Sequence, residues 1–361
     1  MTMPAIHQLV AGFTSGDAIS NEAIVLQRIF KSWGFDSDIF SQTNHTLPEL
    51  RSKSRDIFTA RKVMGPADIA VLHLSIGAPV NEIFAALECR KAIIYHNMTP
   101  PAYFDLVNRR VAMELEKGRE HVAMLAGRAA VNTAVSRFNA GELETAGYRN
   151  VRVLPLVLDL DMLVAHPDPK IIARYRDGRK NILFVGRGVP NKKIEDLMTA
   201  FFYFKKYVEP ASRLIHVGSY TGMEKYHFLL TARMRDLGLA NDDVVLTGMV
   251  PQAQLNAYYD IADLFLCMSE HEGFCIPLLE SMLHNVPVLA YSAAAVPETL
   301  DGAGVLFSRK DYADVAEMMD RLIRDQQLRA GVVEQQKKRI QRYKALDLAA
   351  ELKQCLAPLL P

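Results

Sequence analysis

Short apolar runs alternate with helical stripes along the whole chain, and this constrains the fold more than any other feature. Ile6 to Gly12, Asp68 to Leu74 and Lys91 to His96 have the length and composition of buried strands; Ala129 to Val135 and Val151 to Val157 extend the set. Between the first two, Ile19, Ala23, Leu26, Phe30 and Trp33 recur at steps of four and three, one apolar stripe of a helix with Gly34 as its stop. The second half repeats the scheme through Asn181 to Gly186, Arg213 to Gly218, Val244 to Gly248, Leu264 to Met268 and Pro287 to Tyr291, with helical segments between them. Such alternation predicts α/β architecture, in which parallel strands are covered by helices on both faces. Asp, Pro and His interrupt the pattern near Asp159 to Asp168. We therefore expect two Rossmann-like, doubly wound parallel-sheet domains, residues 1–165 and 166–339. Residues 340–361, with an amphipathic helix from Leu346 to Leu356, should pack back on the first. Carboxyl ends of two such sheets facing a cleft would make the ligand site.

The chain has 361 residues, enough for two cores. Its net charge of +1 gives no global electrostatic case for nucleic acid. No apolar run approaches the roughly 20 residues that span a bilayer. Met1 to Val10 lacks a basic stretch ahead of an apolar core, so no signal peptide is expected and the cytoplasm is the expected compartment. Cys89, Cys267, Cys275 and Cys355 form no C-x-x-C and suggest neither disulfides nor zinc. Arg51, Lys53, Arg55, Arg61 and Lys62 enclose a single acid, Asp56. They read as a solvated helix face, or as contact with a phosphate-bearing or membrane-bound acceptor.

The segment SEHEGFCIPLLESMLHN, Ser269 to Asn285, carries the chemistry. It follows a buried strand. Gly273 permits a tight turn, Pro277 suits the first position of a helix, and the amides around it would form an anion site. Glu280, one turn into that helix, tilts back toward its N-terminus, and Glu272 stands eight positions earlier. Amides for phosphate oxygens and carboxylates for hydroxyls suit a ligand carrying both.

Glu-x7-Glu within E-G-F-x-x-P-L-L-E resembles the signature of the family 4 glycosyltransferases, retaining enzymes of GT-B fold. NILFVGRGVPNKKIEDLMTAF, RLIHVGS, VVLTGMV, YYDIADLFLCMSEHEGF and VPVLAYSAAAVPETLDGAGVLF follow in the family's order, most specifically over residues 181–308. TAVSRFNAGELETAGY and YHNMTPP resemble it less closely. The resemblance implies that Arg187 and Lys192 grip the donor diphosphate, with Lys193 standing where the family often has Gly. It implies that Glu280 binds the ribose, that Glu272 contacts the transferred sugar, and that the amides of Phe274, Cys275 and Ile276 hold diphosphate and sugar. Met249 and Val250 would hold the nucleobase. His96 would face the donor sugar, with His73 as the competing candidate. Gly16 would lie near the diphosphate, in a loop with one glycine and Asp17 after it where the family is glycine-rich. Asn285 replaces a usual Gly but tolerates the left-handed conformation needed there.

Asp36-Ser37-Asp38 and Asp159-Leu160-Asp161 imitate the D-x-D metal motif of the other glycosyltransferase fold. With Arg187 and Lys192 supplying positive charge, no metal or other cofactor is expected. The implied reaction moves a sugar from a nucleotide-diphosphate donor, for which GDP-mannose is the expectation, to the hydroxyl of an acceptor sugar or lipid-linked oligosaccharide in bacterial polysaccharide or glycolipid synthesis. Peripheral contact with the inner face of the membrane, through the first domain, is part of that expectation. The competing readings are a nucleotide-sugar epimerase of the same fold and a non-enzymatic sugar-nucleotide binder. A dinucleotide oxidoreductase fails because no G-x-G-x-x-G follows either domain's first strand.

Overall fold

A computed structural model describes residues 4–164 and 166–361. Met1 to Met3, part of the segment read for a signal peptide, and Ala165, the expected domain boundary, lie outside the described residues. The chain forms two compact units. One comprises Met1–Ala102, Arg110–Asp159 and Asp347–Pro361; the other comprises Tyr103–Arg109 and Leu160–Leu346.

The first unit carries a seven-stranded sheet of β1 (Ile6–Leu9), β2 (Ile39–Ser41), β3 (Arg55–Asp56), β4 (Ile69–Leu74), β5 (Arg90–Tyr95), β6 (Val131–Ala134) and β7 (Arg152–Val153). The order is β3-β2-β1-β4-β5-β6-β7, and every pair is parallel. All six residues of β4 are buried, as expected of a strand covered on both faces. The helix Ala18–Ser32 is capped by Asp17, whose carboxylate accepts from the Ser20 amide, and Gly34 takes φ 90 just beyond its end. The last helix, Leu348–Leu356, belongs to this unit; nearby, Arg152 donates to the Gln354 carbonyl at 3.3 Å.

The second unit carries β8 (Lys180–Val185), β9 (Ser212–Val217), β10 (Val244–Leu246), β11 (Leu264–Cys267), β12 (Val288–Tyr291) and β13 (Val305–Phe307). Their order is β10-β9-β8-β11-β12-β13, again all parallel. Helix Ile194–Tyr207 buries Ile194, Leu197, Met198, Phe201 and Phe204 and packs against helix Tyr312–Arg324.

Strand order reverses between β1 and β4 in one sheet and between β8 and β11 in the other. Those crevices are where doubly wound sheets bind ligands.

Several expectations need correction. The strand over Val151–Val157 shrinks to two residues, and the short strands β2, β3 and β13 were not anticipated. Residues 340–345 finish the long helix Gln326–Ala345, so the final helix begins only at Leu348. The basic stretch is not one helix face: Arg51 and Lys53 lie in a 3-10 turn, Arg55 in β3, and Arg61 and Lys62 in the four-residue helix Ala60–Val63.

Candidate functional site

In the second unit, two loops meet at the β8/β11 crevice. One leaves β8 through Gly186-Arg187-Gly188; the other leaves β11 toward helix Ile276–Leu283. Asn191 ties them together: its side chain donates to the His271 carbonyl at 2.9 Å, and its own carbonyl accepts from the Glu270 amide at 2.9 Å. Lys192 Nζ and Glu272 Oε1 are thereby brought to 2.5 Å. Burial pushes the Lys192 ammonium down, but the neighbouring Glu272 carboxylate outweighs it and holds the group above lysine's ordinary value, so it stays charged.

Arg187 is exposed and makes no ion pair among the described residues. Lys193 is committed elsewhere, to Glu270 at 3.5 Å and over the Tyr103 ring. It takes φ 53, which explains why glycine suits that position in the resembled family.

The helix Ile276–Leu283 starts with Cys275 at φ 70 as its N-cap and no side-chain cap bond. Pro277 has no N–H and the Leu278 amide donates to the Cys275 carbonyl at 3.1 Å, which leaves the Ile276 amide of the first turn available to an anion. The left-handed residue of this turn is Cys275, not Gly273, and Pro277 is the second helical residue rather than the first. Phe274 and Cys275 are buried, and Thr299 Oγ1 donates to the Phe274 carbonyl. The neighbouring Cys267 thiol, burial and nearby Glu272 push the Cys275 thiol up.

Glu280 is buried, and its Oε2 accepts from Tyr259 Oη at 2.8 Å. Burial raises its pKa against that hydrogen bond. Met249 is 69% exposed beyond β10, with Val250 beside it. Asn285 takes φ 58, the conformation expected of it.

The turn after β8 has support that sequence reasoning missed. His216 Nε2 donates to the Gly186 carbonyl at 2.9 Å, and Tyr220 Oη donates to His216 Nδ1 at 2.6 Å. Burial drops the His216 pKa to about 4. Gly218 lies so close to Gly186 that a Cβ there would sit 1.8 Å from the Gly186 carbonyl oxygen.

The first unit holds the other two site candidates. Gly16 is exposed at φ 74. Next to it the Asp17 carboxylate already occupies the helix N-terminus, accepting from the Ser20 amide and hydroxyl at 2.9 Å each. His96 follows β5 and is buried with His73: His73 Nδ1 and His96 Nε2 stand 2.9 Å apart. Both pKa values are pushed down, His73 by burial to about 3, His96 by burial and by His73. Glu22, unanticipated, is buried against the pair.

Asp38 and Asp159 of the D-x-D pairs are engaged with Arg55 at 2.9 Å and Arg28 at 3.1 Å. Among the described residues, no helix is long and apolar enough to cross a membrane.

Residues 170–339 match the glycosyl transferases group 1 family. The chain is 30% identical over 190 residues to the GDP-mannose-dependent alpha-(1-6)-phosphatidylinositol monomannoside mannosyltransferase of Mycobacterium tuberculosis, covering 49% of this chain and 47% of that protein. It is 26% identical over 137 residues to the serotype-specific mannosyltransferase WbdA of Escherichia coli, covering 38% of this chain and 17% of that one. It is 32% identical over 230 residues to the D-inositol 3-phosphate glycosyltransferase of Thermobispora bispora, covering 60% and 53%. The chain thus spans about half the length of two of these relatives and far less of WbdA. Among solved structures, Anabaena HepE in complex with UDP and glucose superposes with a TM-score of 0.76 at 18% identity, covering 99% of this chain and 100% of that one. Sucrose-phosphate synthase from Thermosynechococcus elongatus gives a TM-score of 0.74 at 17% identity, covering 98% and 99%.

Proposed function

Residues 170–339 belong to the group 1 glycosyltransferases and the chain has the GT-B fold, and from that premise we propose that it transfers a sugar, with retention, from a nucleoside-diphosphate donor to an acceptor hydroxyl. The observation that carries the reading is the charged Lys192, paired with Glu272 at 2.5 Å beside the uncapped N-terminus of helix Ile276–Leu283. Cations and free amides beside buried carboxylates suit a ligand with a diphosphate at one end and hydroxyls at both.

In this reading the bond between the anomeric carbon and the diphosphate breaks, and the electron pair leaves with the nucleoside diphosphate. Arg187, Lys192 and the amides of Phe274, Cys275 and Ile276 stabilise that charge. The acceptor oxygen forms the new bond on the face the diphosphate leaves, and its proton passes to the leaving phosphate. Glu280 accepts ribose hydroxyls, Met249 and Val250 border the base, and Glu272 and His96 contact the transferred sugar. Gly16 lends its amide to the diphosphate. No metal takes part. GDP-mannose as donor draws its support from mannosyltransferases among the relatives. A saccharide or lipid-linked acceptor in polysaccharide or glycolipid synthesis, reached from the cytoplasmic face of the membrane through the exposed basic stretch of residues 51–62, completes the reading.

Two variants test it. Glu280→Gln keeps the shape but loses charge-assisted acceptance, about 1.5–3 kcal/mol per bond; its affinity for free nucleoside diphosphate should fall at least about tenfold. Glu272→Gln should bind free nucleotide like the parent yet turn over the full donor slowly. If both bind and turn over like the parent, the reading fails.

A further inference from the structure

The buried histidine pair in the first unit is wired in one direction. Gln8 Nε2 donates to the Ala23 carbonyl at 2.8 Å, which orients the amide and leaves Oε1 as an acceptor. Gln8 Oε1 is 3.0 Å from His73 Nε2, so His73 carries its proton on Nε2. His73 is neutral, held so by burial, and its Nδ1 is therefore a lone pair. That lone pair is 2.9 Å from His96 Nε2, so His96 must be the donor there. His96 is neutral for the same reason, and the proton on Nε2 leaves its Nδ1 bare. Among the described residues no side chain or backbone group bonds that Nδ1. The backbone of His96 is held as well: its carbonyl accepts from Asn139 Nδ2 at 2.8 Å.

Glu22 closes the third side. Its Oε1 accepts the Val157 amide at 2.9 Å; its Oε2 lies 3.6 Å from His96 Nε2 and 3.8 Å from His73 Nδ1, buried and without a hydrogen bond. Burial raises its pKa to about 8, so at neutral pH it pulls no proton onto either imidazole.

We propose that Gln8 and His73, with Glu22 as an uncharged neighbour, are positioning residues that fix His96 with its proton on Nε2 and present Nδ1 as an acceptor to a hydroxyl of the transferred sugar. This rests on the reading that His96 contacts that sugar. It makes the sugar hydroxyl the donor in that contact and excludes a charged imidazolium from it.

Long-range nitrogen–proton spectra of histidine-labelled protein at pH 7 should show both rings protonated on Nε2, with signals assigned by loss in His96→Gln and His73→Asn. A His96 ring protonated on Nδ1 or on both nitrogens overturns the proposal, as does zinc bound stoichiometrically to the purified protein, because a metal would take the same lone pairs. In kinetics, His73→Leu removes the acceptor behind His96. Its kcat with the full donor should fall on the order of ten- to a hundredfold, as when an orienting partner behind a working imidazole is lost. Affinity for free nucleoside diphosphate should stay within about twofold of the parent. His73→Asn places Oδ1 near the lost lone pair and should recover much of the rate. Equal loss in both variants, or none in His73→Leu, overturns the proposal. If the parent transfers sugar from no donor, the functional reading fails while the spectra still decide the protonation of His96.

Discussion

Lys192 serves two partners with one ammonium: Glu272 now, a diphosphate oxygen in the proposed reaction. Lys192→Ala leaves Glu272 buried without its cation, a change of the kind that costs about 3–5 kcal/mol when a buried pair is broken from one side. Lys192→Met with Glu272→Gln removes both charges and should restore most of the stability but none of the turnover. Denaturant midpoints beside donor turnover separate the two effects; a stable and inactive double variant is expected, an active one is fatal to the assignment.

Glu22 behaves differently because no cation offsets its burial. Unfolded, it ionises near 4.5; folded, burial holds it protonated up to about 8. Between those values the folded state binds one more proton than the unfolded state, so stability falls as pH rises, by about 1.4 kcal/mol per unit. His73 acts with the opposite sign: folded, its pKa is about 3 against an ordinary 6.5, and stability is lost as pH falls through that window. Glu22→Gln keeps an acceptor for the Val157 amide and removes the carboxyl. Its stability advantage over the parent should therefore grow from pH 5 to pH 8, measured by chemical denaturation; a constant difference means that Glu22 is not held protonated. Glu22 was open to view in the sequence: it falls three residues after Ile19 and four before Leu26, a carboxylate inside the apolar stripe. Its neighbours His73 and His96, and Gln8 behind His73, come from three other segments, and no helical period reports them.

At the scale of elements, the turn after β8 depends on backbone proximity. Gly218→Ala would put a Cβ 1.8 Å from the Gly186 carbonyl, and backbone cannot yield as a side chain can. We expect a loss of about 1–3 kcal/mol in stability, the range for overpacking, and weaker nucleotide binding as the loops bearing Arg187 and Met249 move apart; unchanged stability would show that the sheet absorbs the methyl. Lys193→Gly at φ 53 relieves about 1 kcal/mol of left-handed strain, set against an ion pair of similar worth. It should leave stability near the parent's and turnover intact, whereas a loss like that of Lys192 variants would make Lys193 a diphosphate ligand. The long strands and the helix Ala18–Ser32 were legible because their periods are set by burial. Strands β3 and β7, of two residues each, were not, because edge pairing of that length leaves no hydrophobic period. Glycine at Gly218 reads as a strand end in sequence; its contact with Gly186, 32 positions away, belongs to the register of β8 with β9.

At the scale of the molecule, two parallel sheets were legible from the rhythm of apolar runs; the units part after Asp159 and the second also takes Tyr103–Arg109, where the expectation was a single division after residue 165. Of the residues proposed to grip the nucleotide, Arg187, Lys192, Met249, Val250, Glu280 and the amides of 274–276 lie in the second unit, and Gly16 lies in the first. A ligand that binds only the folded state at about 100 times its dissociation constant adds about 2.7 kcal/mol. For a unit of this size that raises the unfolding midpoint by roughly 5–10 °C. GDP should produce that shift at lower concentration than UDP if the donor is GDP-mannose, and excess EDTA should change neither the shift nor turnover, since Arg187 and Lys192 supply the positive charge. Scanning calorimetry over a series of nucleoside diphosphates, with and without chelator, reads each part separately. A larger response to UDP overturns the donor, a response lost with EDTA and restored by a divalent ion overturns the metal-free mechanism, and silence toward every nucleotide overturns the site in the β8/β11 crevice itself.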